Sequence, residues 1–422
     1  MESQPNSKTF RSYIFFWIGQ IFSLLGSSIV QFVIPVWITL MFEDEIFTSL
    51  VYFVSFIPPI IVSPFAGVLA DRLNRKKLIA FADFSQAFTT LILILFFITN
   101  SVSYMIILIV NFVRAMFQAL HFAPSNAIIP TMVPEKHLSR INGINYLFTS
   151  FVNIIGPIIG GVVIFFFPIE IALWIDILTF LIAIVPLIII RIPDIREDQD
   201  KDFNISEFQQ DMREGINTLR IIPGLIVLLF LATLTNFLQV PLQTLLPNFI
   251  IIDNSGTELI YAIVSSSISM GILIGSIIVT IRREWNKKVL IIVSGILLAN
   301  LGYLLVAISP YRFFTLMLIG GFISGIFLPV VNTMFLTLIQ TNVPQDRQGR
   351  VISITVMISS GITPISIIIA GPLSKVIGIS TLWFIYAIIG IIICLIMWFS
   401  TNLRYINTFE GKRLDFNSNL NS

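Results

Sequence analysis

From Tyr13 to Ser400 the chain is a succession of long apolar runs almost free of charge. Crossing the hydrocarbon core of a bilayer takes ~20 apolar residues in a helix. Only structures that satisfy their own backbone hydrogen bonds survive there. The runs fall at 13–41, 48–70, 78–98, 103–128, 143–167, 170–190, 223–250, 259–281, 288–308, 312–340, 351–377 and 379–400. A soluble helical protein would keep a charged face along each helix. Here only 11% of residues are charged and 56% are hydrophobic. The pattern predicts an all-α membrane protein of twelve transmembrane helices.

The net charge of +2 conceals a segregation. With the N-terminus inside, all but three of the 25 Lys and Arg fall on the cytoplasmic side. The exceptions are Arg114 inside span 4, and Arg312 and Lys375 near the outer ends of spans 10 and 11. Glu43, Asp44, Glu45, Glu170, Asp253 and Glu258 fall outside. This matches the positive-inside rule, and both termini are expected in the cytoplasm. The six Trp residues are expected at the membrane surfaces, where amphipathic rings settle. Lys8 and Arg11 precede a run too long for a signal peptide, so the first span is read as retained. A single cysteine, Cys394, rules out an intrachain disulfide and a cysteine metal cluster.

One long hydrophilic interruption, residues 191–222, separates spans 1–6 from spans 7–12. Within it Ser206 and Gln209 form a capping-box pattern. Phe208, Met212, Ile216 and Leu219 then recur at helical spacing, predicting a short amphipathic surface helix. "TMVPEKHLSRINGI" at 131–144 returns as "TNVPQDRQGRVISI" at 341–354, and "NRKKLI" at 74–79 as "NKKVLI" at 286–291. These echoes sit at equivalent helix boundaries and point to a duplicated six-helix unit. The expected organisation is a bundle over 1–190, a linker over 191–222, a bundle over 223–400 and a tail over 401–422. Parallel six-helix repeats are the plan of a large class of secondary transporters.

The stretch "GVLADRLNRKKLI", 67–79, crowds five charges into a charge-poor chain. It resembles the signature loop between helices 2 and 3 of the major facilitator superfamily. It departs at Asn74, where that family has glycine; Asn tolerates left-handed backbone better than most residues. Asp71 sits where the helix dipole repels an anion and needs a partner. The resemblance implies one at the start of span 11, near Gly349 and Arg350, with Arg72 or Arg75 adding an ion pair. Gly67 would let the two helices approach. Lys76 and Lys77 read as ordinary positive-inside residues.

Ionisable groups inside a membrane are costly and mark function. The first half carries Asp83, Arg114, His121 and Asp176; the spans of the second half hold no acid away from their ends. Arg114 lies near mid-membrane, and "RAMFQALHFAP" resembles the superfamily's helix-4 signature, whose arginine is tied to proton transfer. Arg114, Asp176, His121 and Asp83 are the candidate proton-coupling residues, and burial of Asp176 would move its pKa toward a range where it can load and release protons. Asp83, near the cytoplasmic end of span 3, is expected to pair with the basic loop, and His121 to pack with a hydrogen bond. In span 5, Gly156-Pro157 and Gly160-Gly161 resemble the core of the superfamily's antiporter signature. Helices 1, 4, 7 and 10 line the cavity by analogy. The polar positions there are Gln20, Gln31, Gln118, Asn236, Gln239, Gln243 and Asn332, set among Phe, Ile, Leu and Met. Such a wall suits large amphiphilic compounds.

Across nearly the whole chain the pattern resembles the drug:proton antiporters of the macrolide-efflux type. The resemblance implies proton-driven export from the bacterial cytoplasm, with small amphiphilic substrates and protons as partners. No cofactor, metal or nucleic acid is expected, and the chain reads as a monomer. An exporter of an endogenous siderophore, peptide or lipid shares the same sequence features. A receptor or intramembrane enzyme is the third reading, but HExxH, GxSxG and phosphate-binding loops are all missing.

Overall fold

The computed structural model describes residues 7–190, 192, 216–219, 222, 224–282, 285, 287–343 and 345–400. The side chains of Pro64, Gly67, Val68, Asp71, Arg72, Lys136, Ser139, Gln345, Asp346 and Gly349 lie outside that description. Among the described residues twelve helices are long and apolar enough to cross a membrane. They are α1 (Ser7–Phe42), α2 (Glu45–Arg72), α3 (Arg75–Ile98), α4 (Tyr104–Met132), α5 (Glu135–Phe166) and α6 (Ile169–Ile189). α7 (Leu225–Pro247) continues as a π-helical segment, Asn248–Asp253; then come α8 (Glu258–Ile281), α9 (Lys288–Ala307) and α10 (Phe314–Asn342). α11 has two segments, Gln345–Gly361 and Thr363–Ile377, and α12 is Ile379–Ser400. The break in α11 falls where Pro364 has no N–H to give the carbonyl of residue 360.

Each predicted run is found as a helix, several of them longer than the apolar run itself. The extra turns are at polar ends such as Glu135–Ile141, where charged residues hide the helical pattern from a hydropathy reading. In the linker, Ile216–Leu219 is helical, with Leu219 buried. Ser206, Phe208, Gln209 and Met212 lie outside the described residues.

The chain divides into two compact units. The first holds 1–199 with 244–266 and 370–375; the second holds 200–243, 267–369 and 376–422. At one end of the first unit, Tyr13, Phe16, Ile79, Ile128, Met132 and Leu187 form an apolar plug. At the other end Asp44 caps α2 by accepting the Ile46 amide at 2.8 Å and pairs with Lys375. In the second unit Leu228, Ile292, Ile296, Met334 and Leu338 pack together.

Water does not drive helices together in lipid, so close contact depends on small residues and buried polar links. Gly26 of α1 faces Thr179 and the Asp176 backbone of α6, and Gly156 and Gly160 of α5 face Ser28, Phe32 and Val33 of α1. Gly161 faces Ala262 and the Glu258 carbonyl at the start of α8. The antiporter-like glycines thus seat α5 on α1.

One local expectation is corrected. Asn74 is not left-handed: at φ −63 and ψ 112 it is the N-cap of α3, its side chain accepting the Lys77 amide at 3.0 Å. Trp383, four residues from the start of α12, is fully buried, its indole donating to the Pro241 carbonyl at 3.2 Å.

Candidate functional site

Three helices bring polar side chains to a common depth in the first unit. Counting from the end where α4 and α6 begin, Arg114 lies about 15 Å down α4 and Asp176 about 10 Å down α6. Thr90 lies about 12 Å from the same end of α3. Arg114 Nη1 meets Asp176 Oδ2 at 2.7 Å, and both residues are only 6% exposed. Thr90 Oγ1 donates to the same carboxylate oxygen at 2.9 Å and accepts from Arg114 Nη1. Ser27 of α1 reaches the other oxygen at 3.5 Å. The two groups were each readable as costly charges. Thr90, which binds both, was not, because a hydroxyl in an apolar helix can also satisfy itself on its own backbone.

A second cluster lies nearer the opposite end. Gln20 Nε2 donates to Asp83 Oδ2 at 3.3 Å, and His121 Nε2 lies 3.4 Å from Asp83 Oδ1. His121 Nε2 is also 2.9 Å from Gln20 Oε1 and 3.2 Å from Ser125 Oγ. Asp83 therefore pairs with His121 and Gln20 rather than with the basic loop. It is two turns inside α3, and the loop cations Arg75 and Lys76 are engaged elsewhere. Arg75 donates to the Ala70 and Ala127 carbonyls at 3.2 and 2.9 Å. Lys76 donates to the Ile188 and Ile190 carbonyls at 2.8 and 2.6 Å. The Ala70, Ile188 and Ile190 carbonyls belong to the ends of α2 and α6, whose dipoles place negative charge there. Lys76 is thus a helix-capping residue and not merely a topology signal. The side chains of Gly67, Asp71, Arg72 and Gly349 lie outside the described residues; Arg350 is exposed on the second unit.

Each unit holds a cavity. One in the first unit is about 490 Å³ and is lined by Gln20, Asp83, Gln118 and His121 together with aromatic rings. Gln31, itself exposed, donates to Gln118 at 3.1 Å. The one in the second unit is about 540 Å³ and carries Asn236, Gln239 and Asn332 among apolar residues, with no ionisable group in its wall. Asn236 donates to the Ser359 carbonyl at 2.7 Å, whereas Gln239 Nε2 and Thr355 Oγ1 are buried without a protein partner. Gln243 is exposed and lines neither cavity. Among the described residues no group of His, Cys, Asp and Glu is arranged to hold a metal ion.

The family model described as Major Facilitator Superfamily matches residues 16–363. Macrolide efflux protein A of Streptococcus pyogenes is 28% identical over 372 residues, covering 87% of this chain and 90% of that protein. The multidrug efflux pump Tap of Mycolicibacterium fortuitum is 20% identical over 367 residues, 85% of this chain and 88% of that one. Among solved structures, a bacterial homologue of the human lysosomal transporter Spinster, inward-facing and unoccupied, superposes with a TM-score of 0.66 at 15% identity. It covers 97% of this chain and 100% of its own. A POT family transporter in complex with a thioalcohol-conjugated peptide gives a TM-score of 0.72 at 12% identity, over 94% of this chain and 98% of that one.

Proposed function

The chain belongs to the major facilitator superfamily, whose members move solutes rather than catalyse reactions, and from that premise we propose that it exports amphiphilic drugs, macrolide-type antibiotics foremost, in exchange for protons. It is a multi-pass membrane transporter of the drug-efflux kind; proton coupling, alternating access and the cytoplasmic placement of both termini are the further steps taken here. So is the division into bundles over 1–190 and 223–400.

The observation that carries the coupling is the Arg114–Asp176 pair. It is dry and tightly bonded, and Arg114 sits on α4, which also walls the first-unit cavity. Breaking such a pair by removing one partner costs about 3–5 kcal/mol, so it is a strong two-state element. Protonation of Asp176 is the chemical event that would loosen it. The two cavities supply the substrate surface: apolar area for affinity, and a few amides for orientation. The likeness to macrolide efflux protein A supports macrolides as the first compounds to try.

The test is accumulation of a labelled macrolide in cells with and without the protein, before and after a proton uncoupler. Expressing cells should hold several-fold less drug than controls, and the uncoupler should erase the difference. Equal accumulation in both cell lines contradicts the export reading. A difference that survives the uncoupler contradicts proton coupling.

A further inference from the structure

The polar side chains in the wall of the second-unit cavity come from α7, α10 and α11, and none is ionisable. Two of them are unusual. Other threonines near this wall settle their hydroxyls on the carbonyl one turn back, Thr233 on Leu229 at 2.8 Å and Thr337 on Thr333 at 2.7 Å. Thr355 does not: it is 6% exposed, and its Oγ1 is buried with no protein partner. Gln239 Nε2 is in the same condition, although Asn236, one turn back along α7, donates to the Ser359 carbonyl at 2.7 Å. Buried polar atoms left over in this way are uncommon and call for a reason. Ser359 and Ser360, next to the break in α11, line the same cavity, and Pro364 has no N–H for the Ser360 carbonyl. Irregular backbone at membrane depth is tolerated where it lines a cavity.

We propose that Gln239 and Thr355 form a seat for an uncharged acceptor oxygen of the transported compound, a ketone, lactone or ether oxygen. The inference rests on the export reading and names the part of an amphiphilic substrate that the second unit holds: its neutral, oxygen-bearing face. Gln239 Nε2 can only donate, and the Thr355 hydroxyl is free to donate. A wall without charge offers nothing to offset the desolvation of an ammonium or a carboxylate. A ketone or ester oxygen loses far less on leaving water and recovers a hydrogen bond here. A turn about χ1 of Thr355, or along the longer side chain of Gln239, presents each donor to an occupant of the cavity. Phe327, Phe335, Leu228 and Ile296 supply apolar area for the rest of the ring. A bound oxygen thus relieves a desolvation cost that folding leaves in place, and that relief favours binding.

The probes are erythromycin and its aglycone erythronolide, which lacks the sugars and their amine, measured by equilibrium binding to the purified full chain in detergent. Thr355→Val and Gln239→Leu each remove a donor while keeping most of the side-chain volume. Each should weaken both compounds about three- to tenfold, the loss of one hydrogen bond. The factor should be the same at low and high salt, because no charge takes part. Melting of the unliganded variants should be unchanged or raised, since an unpartnered polar atom has gone. Thr355→Ser should restore the affinity lost in Thr355→Val. An unaltered affinity in either variant overturns the proposal. So does weakened binding of erythromycin alone, which would set the donors against the amino sugar. A Thr355→Val protein that melts lower as well as binding less marks a structural hydroxyl and also overturns the seat. Wild type binding neither compound removes the macrolide reading and this inference together, a result distinct from variants that bind like wild type.

Discussion

Arg114→Ala abolishes export and lowers thermal stability, whereas Arg114→Ala combined with Asp176→Asn recovers the stability and not the export. The argument runs through burial. Both side chains are almost wholly removed from solvent, and the bond between them is 2.7 Å. Removing the arginine leaves a carboxylate in a dry interior with only hydroxyls to face, at a cost of about 3–5 kcal/mol. Neutralising the acid as well removes that penalty, because Asn can still meet Thr90 and Ser27. Neither variant can carry out protonation-dependent release of a fixed cation, so neither should pump. Arg114→Lys falls between: it keeps the charge but not the rigid guanidinium whose Nη1 meets both Asp176 and Thr90. Melting of the detergent-solubilised protein and drug accumulation, read side by side, check all three. Normal pumping by Arg114→Ala would contradict the account.

Gly26→Val is expected to be almost as damaging, although it removes no charge. A Cβ at Gly26 would run into Thr179 Oγ1 and come within 3.0 Å of the Asp176 Cα. The first neighbour can turn, but the second is backbone. Overpacking of this kind costs about 1–3 kcal/mol where side chains can shift, and more where they cannot. The strain also falls on the residue that holds Arg114, so α1 and the ion pair are disturbed together. Gly26→Ala should show a reduced form of the same defect. Gly361→Val is the control: nothing lies within 4 Å of a Cβ there, and export should persist. If Gly26→Val melts and pumps like wild type, α1 does not support the pair as described.

Much of the architecture was readable because the bilayer leaves so few options. A run of ~20 apolar residues must be a helix, and no surface polarity is needed to find it. The helix ends were less readable, since charged turns such as Glu135–Ile141 look like loop. Asp176 and Arg114 were visible singly, as charges with no cheap reason to be in a membrane. Their partnership was visible only as similar depth. Asp83 was misplaced for a physical reason: nearness along the chain to Arg75 and Lys76 counted for less than nearness across helices to Gln20 and His121. Asn74 was expected to replace a glycine turn, but its side-chain oxygen serves a different purpose, capping α3. Gln243 lies one turn beyond Gln239 on nearly the same face of α7, but it is exposed and past the residues that line the cavity, a limit that composition does not reveal.

The most direct test of the central claim is proton movement itself. Wild type and Asp176→Asn are reconstituted in liposomes with a pH gradient and a trapped indicator, and a macrolide is added. The account predicts that substrate collapses the gradient through the wild type and leaves it standing with Asp176→Asn. Collapse at the same rate through both proteins would contradict it.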